Sequence, residues 1–127
     1  MRELTDHKLN GLNDVLKIMV ADQPGPGNAN HNYTIFLDES KRNDPKDKTV
    51  HQTISFQNGP INEVGVNGIS NEALITVVID RMRGFQSGQF ACRENALALT
   101  KLEESLMWLQ KRTADRLKRG IEGTSNK

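Results

Sequence analysis

Residues 70–83 read Ser70-Asn71-Glu72-Ala73-Leu74-Ile75-Thr76-Val77-Val78-Ile79-Asp80-Arg81-Met82-Arg83, and this stretch decides the fold. Ser70 suits an N-cap, because its hydroxyl can accept from a first-turn amide, and Glu72 stands where a helix dipole favours a carboxylate. A helix is expected from Asn71 to about Arg83. Its segment 73–79 is apolar nearly all round, whereas a surface helix carries a one-sided stripe. A helix greasy on every side must be covered on every side, and a chain of 127 residues has little material for that. An oligomer is expected.

Gly84-Phe85-Gln86-Ser87-Gly88-Gln89 is short enough to join two antiparallel helices. The second helix is expected from about Phe90 to Leu117. Cys92, Asn95, Leu99, Leu102, Leu106 and Leu109 fall at alternating steps of three and four, a seam of the coiled-coil type. Ala91, Ala96 and Ala98 are small enough for close helix approach. About 28 residues at ~1.5 Å each extend ~42 Å, so the far end should pack on a sheet or another subunit. After Gly120 the chain is polar, and the stretch 119–127 is expected to be a flexible tail.

Before residue 70 the texture changes. Leu16, Ile18 and Val20 alternate with Lys17, Met19 and Ala21, then two prolines and two glycines within 22–30 forbid regular structure. Tyr33-Thr34-Ile35-Phe36-Leu37 is β-prone, 38–48 is a polar loop, and 50–56 reads as a third strand. Leu9, Leu12, Leu16 and Met19 also fit helical spacing, so 4–20 could be helix, but Asn10-Gly11 weakens that reading. A short turn followed by a strand is favoured. The fold expected is therefore α+β within one domain, 1–127: a small antiparallel sheet (1–60), an irregular connector (61–70), then an antiparallel helical hairpin (71–118).

The net charge of +1 argues against a polymer-binding nucleic-acid protein, which carries a strong basic excess. Lys111, Arg112, Arg116, Lys118 and Arg119 do crowd one end, where cations complement a helix C-terminus. No apolar run approaches the ~18 residues of a membrane span, and the polar opening Met1 to His7 is no signal peptide. A cytosolic protein is expected. Cys92, the lone cysteine, cannot form a disulfide within the chain and reads as a small buried apolar residue rather than a nucleophile.

Catalysis has little to work with. His7, His31 and His51 lack zinc-ligand spacing, no glycine-rich phosphate loop precedes a helix, and Asp38, Glu39, Asp44 and Asp47 lie on a Lys-rich loop as solvated carboxylates. No enzyme, cofactor or metal is expected. Binding has more to show. Phe85, between glycines, could stack on a nucleobase or simply close the hairpin core, as Phe90 would. Asn95 at a seam position could fix register or read a base edge. Arg93 and Glu94 sit beside it, and Arg112 offers a planar fork suited to phosphate.

The runs 56–68, Phe56-Gln57-Asn58-Gly59-Pro60-Ile61-Asn62-Glu63-Val64-Gly65-Val66-Asn67-Gly68, and 83–109, beginning Arg83-Gly84-Phe85-Gln86-Ser87-Gly88-Gln89-Phe90, add a resemblance. Across roughly 50–117 the chain resembles the phage Thoeris anti-defence proteins of the first type, which share a helical-hairpin domain with the phage anti-CBASS nucleotide sponge. The resemblance implies a sponge that sequesters glycocyclic ADP-ribose in the host bacterial cytoplasm without cleaving it. It also implies homo-oligomers, dimers or hexamers built as trimers of dimers, and separate pockets for cyclic di- or trinucleotides. Residue by residue, Phe85 resembles the ring stacked on adenine, Asn95 the residue reading its edge, and Arg112 a phosphate partner. Arg93 is similar in placement to residues lining the other, cyclic-oligonucleotide pocket. No arginine of the sheet half is matched. The competing reading is a structural or protein-interaction module without a small-molecule ligand.

Overall fold

The computed structural model describes residues 1–41 and 44–124. It divides into two compact units, 1–58 and 59–127. The first is a four-stranded antiparallel sheet with strands in sequence order: β1 (Arg2–Leu4), β2 (Leu16–Val20), β3 (Asn32–Leu37) and β4 (His51–Ser55). Because side chains alternate across a strand, the register sets the faces. Leu4, Ile18, Ile35 and Gln52 form one cross-strand row, Val20, Tyr33 and Ile54 another, and Leu16 pairs with Leu37 on the same face. Val20 and Leu37 are the most deeply buried apolar side chains of this unit among the described residues.

Strands two to four lie where alternation and β-branching placed them. β1 does not announce itself, since three polar-flanked residues carry no periodicity. The helical alternative for 4–20 survives only as α1 (Gly11–Val15), which Leu16 ends by turning to extended backbone. Leu9 is 90% exposed and Leu12 69%, so the helical spacing there marks no core stripe. The 22–30 loop is organised by Asp22. Its carboxylate accepts from the His31 backbone N–H at 3.0 Å and the Asn32 amide at 3.4 Å, and its carbonyl accepts from Asn30 at 2.8 Å. Partial burial pushes the carboxyl pKa up, but the hydrogen bonds from His31 and Asn32 outweigh it, and the net shift is downward. Gly27 and Asn28 take left-handed φ of 72° and 63° within one 3-10 turn, the conformation that glycine and asparagine tolerate best.

The second unit is the helical hairpin. The connector expected to be irregular holds one helical turn, α2 (Ile61–Val64). α3 (Asn71–Gln86) and α4 (Arg93–Lys118) then pack against each other. Ser70 caps α3 as read, accepting from the Ala73 N–H at 3.0 Å, with Glu72 in the first turn. Ile75, Ile79 and Met82 turn inward at helical spacing, and Ile79 is 2% exposed. Leu74, Val77 and Val78 face outward and are exposed. On α4, Asn95, Leu99, Leu102, Leu106 and Leu109 are the less exposed positions of their turns, which is the predicted seam without Cys92.

The structure departs from the expected fold at three places. α3 continues to Gln86, so Gly84 and Phe85 belong to its last turn and not to a loop. Cys92 is exposed, not buried: it is the N-cap of α4, its sulfur accepting from the Asn95 N–H at 3.4 Å. Finally, through Thr124 the chain after 119 is not loose. Arg116, 6% exposed, pairs with Glu122 at 3.2 Å and donates to the carbonyls of Ile121 and Thr124. The Asn62 N–H reaches the Gly123 carbonyl at 3.1 Å. Residues 125–127 lie outside the described residues. The end of α4 is thus contacted by its own following segment.

Candidate functional site

Phe85 sits on the last turn of α3, half-buried. Phe90 stands nearly perpendicular to it, ring centroids 6.2 Å apart at 84°. One turn back, the Arg81 guanidinium lies over the ring at 4.9 Å from its centroid. A helix places positions i and i+4 on one face, which brings Arg81 to Phe85. No sequence pattern flagged Arg81. The spacing alone could have found it, as a cation four residues before an aromatic.

The hairpin closes through a reciprocal clamp. The Gln86 side chain donates to the Cys92 carbonyl at 3.3 Å and accepts from the Cys92 N–H at 3.1 Å. Ser87 adds a hydroxyl bond to the Gly84 carbonyl at 2.7 Å. These bonds satisfy backbone groups that a helix end and a helix start leave open. They also hold the start of α4, with Arg93 exposed in its first turn and Asn95 half-buried one residue past Glu94, at the same end as Phe85. Among the described residues the Asn95 carboxamide makes no hydrogen bond, so its donor and acceptor are both available. The glycines matter less than their number suggested. Gly84 is helical, and a β-carbon there would meet nothing within 4 Å.

Arg112 is elsewhere. It lies 17 positions along the same helix from Asn95, ~25 Å at ~1.5 Å per residue. There it lines a cleft of about 500 Å³ with Asp115, Arg116 and Arg119. The basic cluster is partly spent on internal pairs. Lys111 holds Asp115 at 2.7 Å, and that hydrogen bond and charge depress the Asp115 carboxyl below the ordinary range. Arg116 is committed to Glu122. Arg112 is exposed and makes no ion pair among the described residues. One chain therefore brings Phe85, Asn95 and Arg93 to one end of the hairpin and leaves Arg112 at the other.

Among the described residues, no three His, Cys, Asp or Glu side chains come together as a metal cluster, and no helix is long and apolar enough to cross a membrane. The antiparallel helical hairpin presents an aromatic ring and an unbonded amide near its turn. Residues 48–114 match the family described as Acb2/Tad1, hairpin domain, and the chain belongs to that family. It is 60% identical over 75 residues to the protein "Thoeris anti-defense 1" of Bacillus phage SBSphiJ7. The alignment covers 59% of this chain and 53% of that protein, so the match spans about half the length of the relative.

Proposed function

We propose that the protein binds and sequesters glycocyclic ADP-ribose without cleaving it, and so inhibits Thoeris-type anti-phage defence inside the infected bacterium. The observation that carries the reading is the pairing, in a chain of this family, of the Phe85 ring and the unbonded Asn95 amide at one end of the hairpin. A ring offers a stacking face that any base can use, and a carboxamide offers a donor and an acceptor to the base edge. The name of the Bacillus phage relative supports the anti-defence role. Sequestration rather than turnover fits the chemistry at hand. All three histidines lie before residue 58, leaving the hairpin unit without an imidazole to activate water. Arg93, exposed in the first turn of α4, is the candidate contact for cyclic di- or trinucleotides.

The site is shared between two subunits. A ligand the size of one ADP-ribose cannot bridge ~25 Å along one helix, so Arg112 must come from a second chain running antiparallel to the first. A two-fold dimer achieves this and creates two identical sites. It would also cover Val77 and Trp108, now 65% and 57% exposed. Calorimetry against glycocyclic ADP-ribose and a panel of cyclic di- and trinucleotides tests the function. Binding of the cyclic ADP-ribose supports it, and a folded protein that binds none of them is instead an interaction module. Mixing Phe85→Ala with Arg112→Ala subunits tests the sharing. In heterodimers one composite site carries both lesions and the other neither, so about one intact site per heterodimer should return. A mixture that binds nothing although subunits have exchanged rules the shared site out.

A further inference from the structure

We infer that Arg81 is a recognition residue of the same site: its guanidinium stacks on the base face opposite Phe85, closing the purine into a sandwich. The inference rests on the reading of Phe85 as the stacking ring. Of the two groups against that ring, Phe90 is perpendicular, whereas Arg81 is the flat cation placed over the ring itself. A guanidinium over an aromatic face occupies the position a base would take, and it prefers the same electron-rich surface.

What holds Arg81 there is weak enough to yield. The side chain is exposed and, among the described residues, makes no hydrogen bond or ion pair. Its neighbour two positions on shows the contrast: Arg83 is pinned to Glu103 at 2.8 Å, across the hairpin. Arg81 is tethered only by the ring, on a long flexible stem anchored one helical turn away. A base entering over Phe85 need only lift the guanidinium by one ring thickness. Both the ring–base and base–guanidinium contacts then form, and the lost cation–ring contact is replaced. The planar fork matters more than the charge, because an ammonium cannot stack. Without ligand, the same contact shields the Phe85 ring from water.

The test is calorimetry with glycocyclic ADP-ribose on wild type, Arg81→Ala, Arg81→Lys, Phe85→Ala and the Arg81→Ala/Phe85→Ala pair. Arg81→Ala should weaken binding about tenfold. Arg81→Lys, which keeps the charge, should recover less than half of that loss on a logarithmic scale. The double variant should bind no more weakly than Phe85→Ala alone, because a base that has lost one face no longer sits where the other can reach it. Melting temperatures of the Arg81 variants should stay within a degree or two of wild type, since an exposed side chain contributes little to stability. Unchanged or tighter binding by Arg81→Ala would show that the guanidinium merely competes with the ligand, and overturns the inference while leaving Phe85 in place. Full rescue by lysine would also overturn it, in favour of a charge contact. A wild-type protein that does not bind the probe removes the site reading and this inference together.

Discussion

The sheet unit and the hairpin unit treat their surfaces differently. In 1–58, several polar groups close on one another, although the buried His31 Nε2 has no hydrogen-bond partner among the described residues. Asp22 organises the 22–30 loop, His7 bonds the Leu16 carbonyl at 2.6 Å, and Lys8 bonds the Asp14 carbonyl at 2.9 Å. Its large exposed apolar side chains are Met1, Leu9, Leu12 and Val50. In 59–127 the balance is reversed. Leu74, Val77 and Val78 on α3 and Leu97, Met107 and Trp108 on α4 are exposed together, while Asn95 and Arg112 keep unpaired polar groups among the described residues. More large apolar side chains are exposed in the hairpin unit than in the sheet unit among the described residues.

That contrast can be broken inside one helix. Ile79 and Val77 are two positions apart on α3, the first 2% exposed and the second 65%. Ile79→Ala should cost ~2–5 kcal/mol of stability, measured by denaturant unfolding, because it empties a packed site. Val77→Glu should leave the subunit folded but reduce the assembly's mass in sedimentation. If Val77→Glu instead unfolds the protein and leaves its mass unchanged, the outer face of α3 belongs to the fold and not to a partner.

A smaller effect separates binding from packing at the turn. Phe85→Ala should cost ~1–3 kcal/mol of ligand affinity, about ten- to hundredfold, with only a modest fall in melting temperature. A packed core phenylalanine would instead cost ~3–5 kcal/mol of stability. A large loss of stability with unchanged affinity would return Phe85 to the core.

Ser70→Ala should destabilise by about 1 kcal/mol, the usual worth of an N-cap. The smallest effect expected is in the sheet unit. Asp22 has its pKa lowered from 3.8, so its contribution is complete above that value and fades as pH falls through the lower folded one. Asp22→Asn should therefore flatten the acid limb of the melting curve below about pH 4, while leaving ligand binding unchanged. An effect of Asp22→Asn on binding would tie the loop to the site.

How much of this was legible depends on what each feature rests on. The Ser70 cap, the α4 seam and three of the four strands follow from local periodicity and side-chain chemistry, and could be read directly. The end of α3 could not. Glycine at 84 signalled a break, yet the helix runs through it: the Ser87 hydroxyl donates to the Gly84 carbonyl, and the Gln86 side chain clamps the Cys92 backbone before α4. Cys92 was read as apolar filling because a thiol at seam spacing resembles a core residue. It caps a helix instead, a role decided by where α4 starts. The segment after 119 looked loose by composition, but buried Arg116 reaches across to Glu122 and two carbonyls, a contact no local pattern encodes. Phe85, Asn95 and Arg112 stood out by residue type and position, and the resemblance supplied their specific roles. Arg81 stands four positions before Phe85, a spacing that could have suggested the contact, while its place over the ring is set by its rotamer.

The central claim is capture without turnover. The direct measurement is to incubate the protein with glycocyclic ADP-ribose, separate the complex, denature it and determine the amount and structure of the released small molecule. The account predicts recovery of the intact cyclic compound, in amounts limited by the number of sites. A linearised or hydrolysed product accumulating beyond one equivalent per site would contradict it and make the protein an enzyme.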